Sequence, residues 1–251
     1  MAPAVLITGG AKRIGSLLAR AFAAEGWHVA IHYGRSRAEA EALAAQLPDA
    51  RLVQCDLADP DAAEAMIAVL ASEMPDWRVL VNSAAVFRPD TAQRIEHDVF
   101  AEAMAVNAES PARMAQAFLA HARADGGRRV IHFLDQKLRN PNPDFFSYTM
   151  AKHALASTVR MLAMAQADPA DRIYGLAPGA MLPSHDQQPE EHLISGRMNL
   201  LARITDPAEL ADAALFLAEG WLASGETAFV DSGQHLMAQP RDVLYLARGL
   251  S

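Results

Sequence analysis

The first fifteen residues constrain the fold more tightly than any other stretch. Val5-Leu6-Ile7 is a short apolar run rich in β-branched side chains, and it leads straight into Thr8-Gly9-Gly10-Ala11-Lys12-Arg13-Ile14-Gly15. Leu17, Leu18 and Phe22 follow at helical spacing. A strand, a glycine-bearing turn and a helix start, in that order, form a phosphate-binding device. Glycine lets the backbone approach a pyrophosphate, and the unpaired N–H groups of the first helical turn face the anion. A glycine-rich turn by itself says little. Here its flanks are right, and it carries a basic residue, Arg13, inside the turn.

The rest of the chain repeats the alternation. Apolar runs at 28–32, 51–54, 78–81, 130–134, 172–176 and 228–230 read as strands. Between and after them, helices are expected over 36–47, 60–73, 97–124 and 145–167, with another starting at Asp206-Pro207, a capping side chain followed by proline in the first turn. Such alternation implies a single Rossmann-type, doubly wound parallel sheet with helices on both faces, in one α/β domain over 1–251. Residues 181–199 hold Pro183 and Pro189 and few periodic apolar residues, so a substrate loop with one short helix is expected there. The segment 237–251 runs beyond the last strand. It is expected either to cross a subunit boundary or to complete a substrate pocket.

Composition excludes several functions. A net charge of −8 over 251 residues argues against nucleic acid as a partner and offers no basic face to an anionic membrane. No apolar run approaches the roughly 20 residues that span a bilayer. A core strand starting near residue 5 leaves no room for a signal peptide, so a cytoplasmic enzyme is expected. The single cysteine, Cys55, reads as a small core residue. Nine histidines, His185 among them, show no metal-ligand spacing, so no metal is expected. Met161 and Met164 read as packing residues, and Arg128-Arg129 as solvated.

Ligands of such a sheet sit beyond the carboxyl ends of its strands. Those ends carry the Gly9–Gly15 turn, Tyr33-Gly34-Arg35-Ser36, Asp56-Leu57, Asn82-Ser83-Ala84-Ala85-Val86-Phe87, Asp135 and Pro178-Gly179. The second strand end selects the cofactor. An NAD site presents Asp or Glu there to the ribose 2′-hydroxyl. This chain presents none. Arg35 can pair with a 2′-phosphate and Ser36 can donate to it, which points to NADPH; the alternative is that Arg35 and Arg37 are solvated loop cations. On the helix after strand five, Tyr148 and Lys152 stand four apart and share a face. A phenol ordinarily titrates at about 10. A neighbouring ammonium favours the phenolate and makes such a tyrosine a proton relay.

With these residues in place the chain resembles the short-chain dehydrogenase/reductases over essentially its full length. That family's Tyr-x-x-x-Lys pair is matched by Tyr148-Thr149-Met150-Ala151-Lys152, its asparagine after strand four by Asn107, and its Pro-Gly after strand six by Pro178-Gly179. Its Asn-Asn-Ala-Gly motif is represented, with changes, by Asn82-Ser83-Ala84-Ala85, and its last turn by Asp231-Ser232-Gly233, read as structural. Two departures point to a subgroup. Arg13 replaces the middle glycine of the turn, and Asp135 replaces the catalytic serine at the end of strand five. Both resemble the pteridine reductases and dihydromonapterin reductases, as does His32-Tyr33-Gly34-Arg35-Ser36. The resemblance implies that Arg13 reaches the cofactor phosphates and the pterin, that Phe87 stacks on the pterin opposite the nicotinamide, and that Asn107 organises water and the lysine. It also implies a homo-oligomer, a tetramer, for which the long helices over 97–124 and 145–167 offer faces.

The serine replacement has a chemical meaning. A carboxylate would repel the alkoxide that forms when a ketone is reduced. A pterin presents ring nitrogens and an amino group, which an aspartate can accept from or, when protonated, donate to. The expected activity is therefore NADPH-dependent reduction of a dihydropterin C=N bond, with Asp135, Tyr148 and Lys152 managing the proton. The alternatives are an ordinary carbonyl or oxoacyl reductase with an unusual serine replacement, and a nucleotide-binding regulator without turnover; the blandest reading of Asp135 is that it points away from a degenerate site.

Overall fold

A computed structural model describes residues 2–184 and 186–250. His185, one of the nine histidines, and Ser251, the end of the C-terminal segment, lie outside the described residues, as does Met1. Among the described residues, β1 (Ala4–Ile7), β2 (His28–Tyr33), β3 (Ala50–Gln54), β4 (Trp77–Asn82), β5 (Arg129–Phe133), β6 (Arg172–Pro178) and β7 (Thr227–Val230) pair in parallel in the order β3-β2-β1-β4-β5-β6-β7. The order reverses at β1, between β2 and β4, which opens the crevice where this sheet type binds ligands.

Strand periodicity explains why the inner strands read as continuous apolar runs. Successive side chains point to opposite faces, and both faces are covered. Val5, Ile7, Val29, Ile31, Val79 and Val81 pack with α1 (Arg13–Ala24), α2 (Arg37–Ala44) and α8 (Pro207–Glu219). Leu6, Ala30, Leu80 and Val130 face α3 (Pro60–Glu73), α5 (Ser110–His121) and α6 (Phe146–Ala165). Cys55 is buried in this second cluster. The caps follow the sequence: Asp59 and Asp206 accept from backbone N–H groups at the starts of α3 and α8, each followed by proline. The 181–199 stretch carries one short helix, α7 (Pro189–Ser195), and the C-terminal segment carries another, α9 (Val243–Ala247).

Three sequence expectations need correction. The helix expected over 97–124 is not continuous. It consists of α4 (His97–Met104), a π-helical turn (Ala105–Glu109) and α5, ending at His121. Pro111 explains the break: it has no N–H, so the Asn107 carbonyl cannot take an α-helical i→i+4 bond. Arg128 and Arg129 are not solvated. Arg128 is paired with buried Asp171 at 2.6 Å and donates to the Leu119 carbonyl at the end of α5. Arg129 donates to the Ala170 carbonyl, and both arginines tie the far end of the sheet to its loops. Met161 and Met164 do not pack in the core: they are 62% and 78% exposed on the outer face of α6.

Candidate active site

The turn after β1 is assembled by its neighbours. Gly9 has φ +64, a conformation side chains resist, and a Cβ there would come within 3.0 Å of the Ala84 backbone. Its N–H donates to Nδ1 of His32 at 3.2 Å, while Nε2 of His32 donates to the Cys55 carbonyl at 3.1 Å. Burial holds this imidazole neutral, its pKa pushed down to about 4, so Nδ1 stays an acceptor. Thr8 Oγ1 accepts from the N–H groups of Ser83 and Ala84, both at 3.0 Å, which locks the turn to the end of β4. Arg13 also has positive φ, +53. This is the position where the resembled family carries glycine, so the arginine holds a strained backbone. Its guanidinium crosses the crevice to the Pro183 carbonyl at 2.7 Å.

Arg35 is exposed at the end of β2, and among the described residues it makes no ion pair. Ser36 sits at the N-terminus of α2 without a side-chain capping bond, so its hydroxyl is available. Arg37 is instead the first residue of α2 and pairs with Glu41 at 2.8 Å. Tyr33 and Leu57 are buried beside the crevice, and Asp56 caps the turn after β3 by accepting from Ala58 N at 3.0 Å. These residues surround the crevice beyond β2 and β3, where Arg35 supplies a cation and the end of β2 itself carries no carboxylate.

Asp135 and Tyr148 meet at one cavity of about 430 Å³ at the carboxyl ends of β1, β4, β5 and β6. Arg13, Ile14, Phe87, Asp135, Tyr148, Pro178 and Gly179 line it. Tyr148 donates from its hydroxyl to Asp135 Oδ2 at 2.9 Å. Lys152 is buried and donates to the Phe133 carbonyl at 2.6 Å. Burial, then the Asp135 carboxylate, holds the Tyr148 phenol well above its ordinary value. The expected lowering by the Lys152 ammonium is not met. The tyrosine instead stays a neutral donor, because it is desolvated and its hydroxyl is already given to the Asp135 carboxyl. Burial raises the Asp135 carboxyl, against the opposing Lys137 cation, and lowers the Lys152 ammonium to about 8. Asp135 therefore does not point away from the site.

The Asn107 side chain is committed to the extension of β4. Its Oδ1 accepts from Val86 N at 2.8 Å and its Nδ2 donates to the Val86 carbonyl at 2.9 Å. The side chain clamps the β4 extension and thereby Phe87. The Phe87 ring stacks on Phe145 at 3.9 Å and meets Tyr148 edge-on at 4.7 Å, which fixes its plane. Asn82 donates to His132 Nδ1 at 3.1 Å and to the Pro111 carbonyl at 3.2 Å, so it ties the end of β4 to β5 and to the first turn of α5.

Lys137 and Gln234 carry no sequence signal, and for the C-terminal segment the sequence points to a place at the pocket or a subunit boundary but not to its charged residue Asp242. Lys137, Gln234, Asp242 and Leu244 line the cavity. Asp242 and Leu244 belong to the C-terminal segment, which thus completes the pocket within the same chain. Asp231, in the last turn, accepts from Gly233 N and His235 N and has the structural role expected of it.

The family model described as enoyl-(acyl carrier protein) reductase matches residues 9–235. Among solved structures, FolM alternative dihydrofolate reductase 1 from Brucella canis, in complex with NADP, is 32% identical with a TM-score of 0.88, over 96% of each chain. Pteridine reductase 1 of Leishmania tarentolae is 29% identical over 259 residues, covering 86% of this chain and 90% of its own. A ketoacyl reductase of the granaticin polyketide synthase from Streptomyces violaceoruber is 27% identical over 246 residues, covering 94% of this chain and 97% of its own.

Proposed function

The chain belongs to the short-chain dehydrogenase/reductase family of oxidoreductases, and we propose that within it the protein is an NADPH-dependent reductase of a dihydropterin C=N bond. The observation that carries this reading is Asp135, with its carboxyl raised and hydrogen-bonded to Tyr148 inside the cavity. A protonated carboxyl serves an imine nitrogen, whereas an anionic one would oppose a forming alkoxide. The pteridine reductase and the FolM reductase among its relatives support the same substrate class.

The turn and Arg35 would hold NADPH, and the backbone there fits it: Gly9 is bare where a Cβ would crowd Ala84, and no carboxylate stands at the end of β2. When bound, NADPH supplies the hydride to a ring carbon, most simply C6 of a 7,8-dihydropterin. Asp135 and Tyr148 then provide the proton to the adjacent nitrogen. Phe87 and Arg13 fix the ring plane and its polar edge, and Lys152 holds the end of β5 through Phe133. Turnover of a 7,8-dihydropterin with NADPH, and little with activated ketones, is the expected assay result. The carbonyl-reductase reading requires the opposite preference, and a regulator turns over neither.

Arg35→Ala is expected to weaken NADPH binding about tenfold to a hundredfold and to leave NADH binding unchanged. A charge-assisted contact to phosphate is worth about 1.5–3 kcal/mol, and each factor of ten is about 1.4 kcal/mol. Isothermal titration with both cofactors checks this, and equal wild-type affinities would refute it. We also place the enzyme in the cytoplasm as a homo-oligomer, a tetramer. The exposed Met161 and Met164 on α6 give that assembly an apolar face, and a monomer in sedimentation at micromolar concentration would contradict it.

A further inference from the structure

A buried ion pair stands beside the Asp135 carboxyl and belongs to neither the cofactor cradle nor the Tyr148–Lys152 pair. Lys137 follows Asp135 by two residues in a short 3-10 turn, and its backbone N–H donates to Asp135 Oδ1 at 2.8 Å. Its ammonium is 2.5 Å from Asp242 Oδ2, with both side chains at most 10% exposed. Asp242 caps α9, accepting from Leu244 N at 3.0 Å, and its own N–H donates to Asp144 Oδ2 at 2.8 Å. Asp144 in turn takes a fork from Arg241. The C-terminal segment is therefore bolted to the catalytic loop through charges, at the wall of the substrate cavity.

A buried pair of this kind adds little to stability over an apolar replacement, because desolvation offsets the attraction. Its position suggests another role. We propose that Lys137 and Asp242 are positioning residues that set the charge of Asp135, so that the C-terminal segment governs whether this carboxyl holds a proton for the substrate nitrogen. The charged and titratable groups around Asp135 are Lys137 on its own loop, Asp242 at the start of α9, and Tyr148 and Lys152 from α6, while Lys137 also donates to the Asp144 carbonyl in the loop before α6. Of the two members of the ion pair, the Lys137 cation acts more strongly on Asp135: it opposes the rise in that carboxyl more than Asp242 adds to it. Removing the Asp242 charge leaves the cation unbalanced and favours the Asp135 carboxylate. Removing both charges deletes the stronger influence and favours the acid. In the reaction the proton passes from the Asp135 carboxyl to the ring nitrogen as hydride from NADPH reduces the C=N bond, and water then reprotonates the carboxylate.

The inference rests on the dihydropterin reading, and two readouts separate their failures. The first is the pH profile of kcat with saturating NADPH and dihydropterin. The second is the carboxyl 13C titration of Asp135 in the NADP+-loaded enzyme, assigned by its loss in Asp135→Asn. Turnover requires the acid form, so activity falls as pH rises through the Asp135 value. Asp242→Asn should move that limb, and the 13C midpoint, down by about one pH unit, the usual size of a close charge effect. The double variant Lys137→Met, Asp242→Leu should move both up, and Lys137→Arg, which keeps the cation beside Asp242, should leave them at the wild-type value. The double variant is preferred to Lys137→Met alone, which would strand a buried carboxylate and risk unfolding. Coincident midpoints, or shifts in one direction only, would overturn the proposal and leave the pair a scaffold. If the wild type turns over no dihydropterin, the functional reading falls, and the 13C midpoints alone decide this one.

Discussion

Replacing Asp135 with serine should lower 7,8-dihydropterin turnover by about 10²–10⁴-fold, the range that a positioned general acid contributes, while NADPH affinity changes little. Serine restores the residue usual in the resembled family, so a loss would be diagnostic. The hydroxyl can still accept from Tyr148, but it cannot release a proton to an imine nitrogen near neutral pH. Arg13, Arg35 and the Gly9–Gly15 turn are untouched, so cofactor binding should survive. Tyr148→Phe should also impair turnover, since it removes the hydroxyl 2.9 Å from Asp135 and keeps the ring that packs against Phe87. A carbonyl reductase predicts the reverse for Asp135→Ser: serine would supply a missing donor and raise activity on an activated ketone. Steady-state rates for wild type and both variants, with one dihydropterin and one ketone, separate the outcomes. Undiminished dihydropterin turnover in Asp135→Ser would refute the role assigned to the carboxyl.

What the sequence revealed depended on how local each signal was. The strands, the glycine turn and the shared face of Tyr148 and Lys152 are set by periods of two and 3.6 residues, and these read directly from spacing. The break at Asn107 was also written locally, in Pro111, although a helical pattern over 97–124 overrode it. The Asn107 clamp on Val86 was not legible, because it joins residues 21 apart through a side chain whose partner is backbone. Arg128 and Asp171 are 43 apart, and only the closed sheet brings them together. Met161 and Met164 have core composition on an exposed helix face, a pattern that one chain alone cannot resolve. The Lys137–Asp242 contact spans more than a hundred residues, and α9 is too short for periodicity to reveal it. The chemistry was thus legible where it lies on a single element, and hidden where two distant segments complete one charge arrangement.

The second large effect concerns backbone space. Gly15→Ala should abolish measurable NADPH binding or unfold the first βα unit. A Cβ on Gly15 would lie 2.1 Å from the Gly9 carbonyl oxygen and 2.8 Å from its carbon. Both are backbone atoms, so no side-chain rotation relieves the overlap, and the turn must open by about an ångström or more to reach van der Waals contact. Overpacking a tight site costs about 1–3 kcal/mol, and more when backbone must move. The same displacement draws Gly9 away from His32 and from the Ala84 backbone, which together hold the turn in its anion-binding shape. Gly26→Ala is the matched control. Gly26 has φ +79 at the end of α1, and an added Cβ there meets nothing within 4 Å. That change should cost about 1 kcal/mol of left-handed backbone strain and leave cofactor affinity intact. Thermal melting and NADPH titration of the two variants measure the contrast. Near-wild-type binding in Gly15→Ala would mean that the turn has slack the observed contacts deny, and the phosphate-cradle reading of Gly9–Gly15 would then lose its geometric basis.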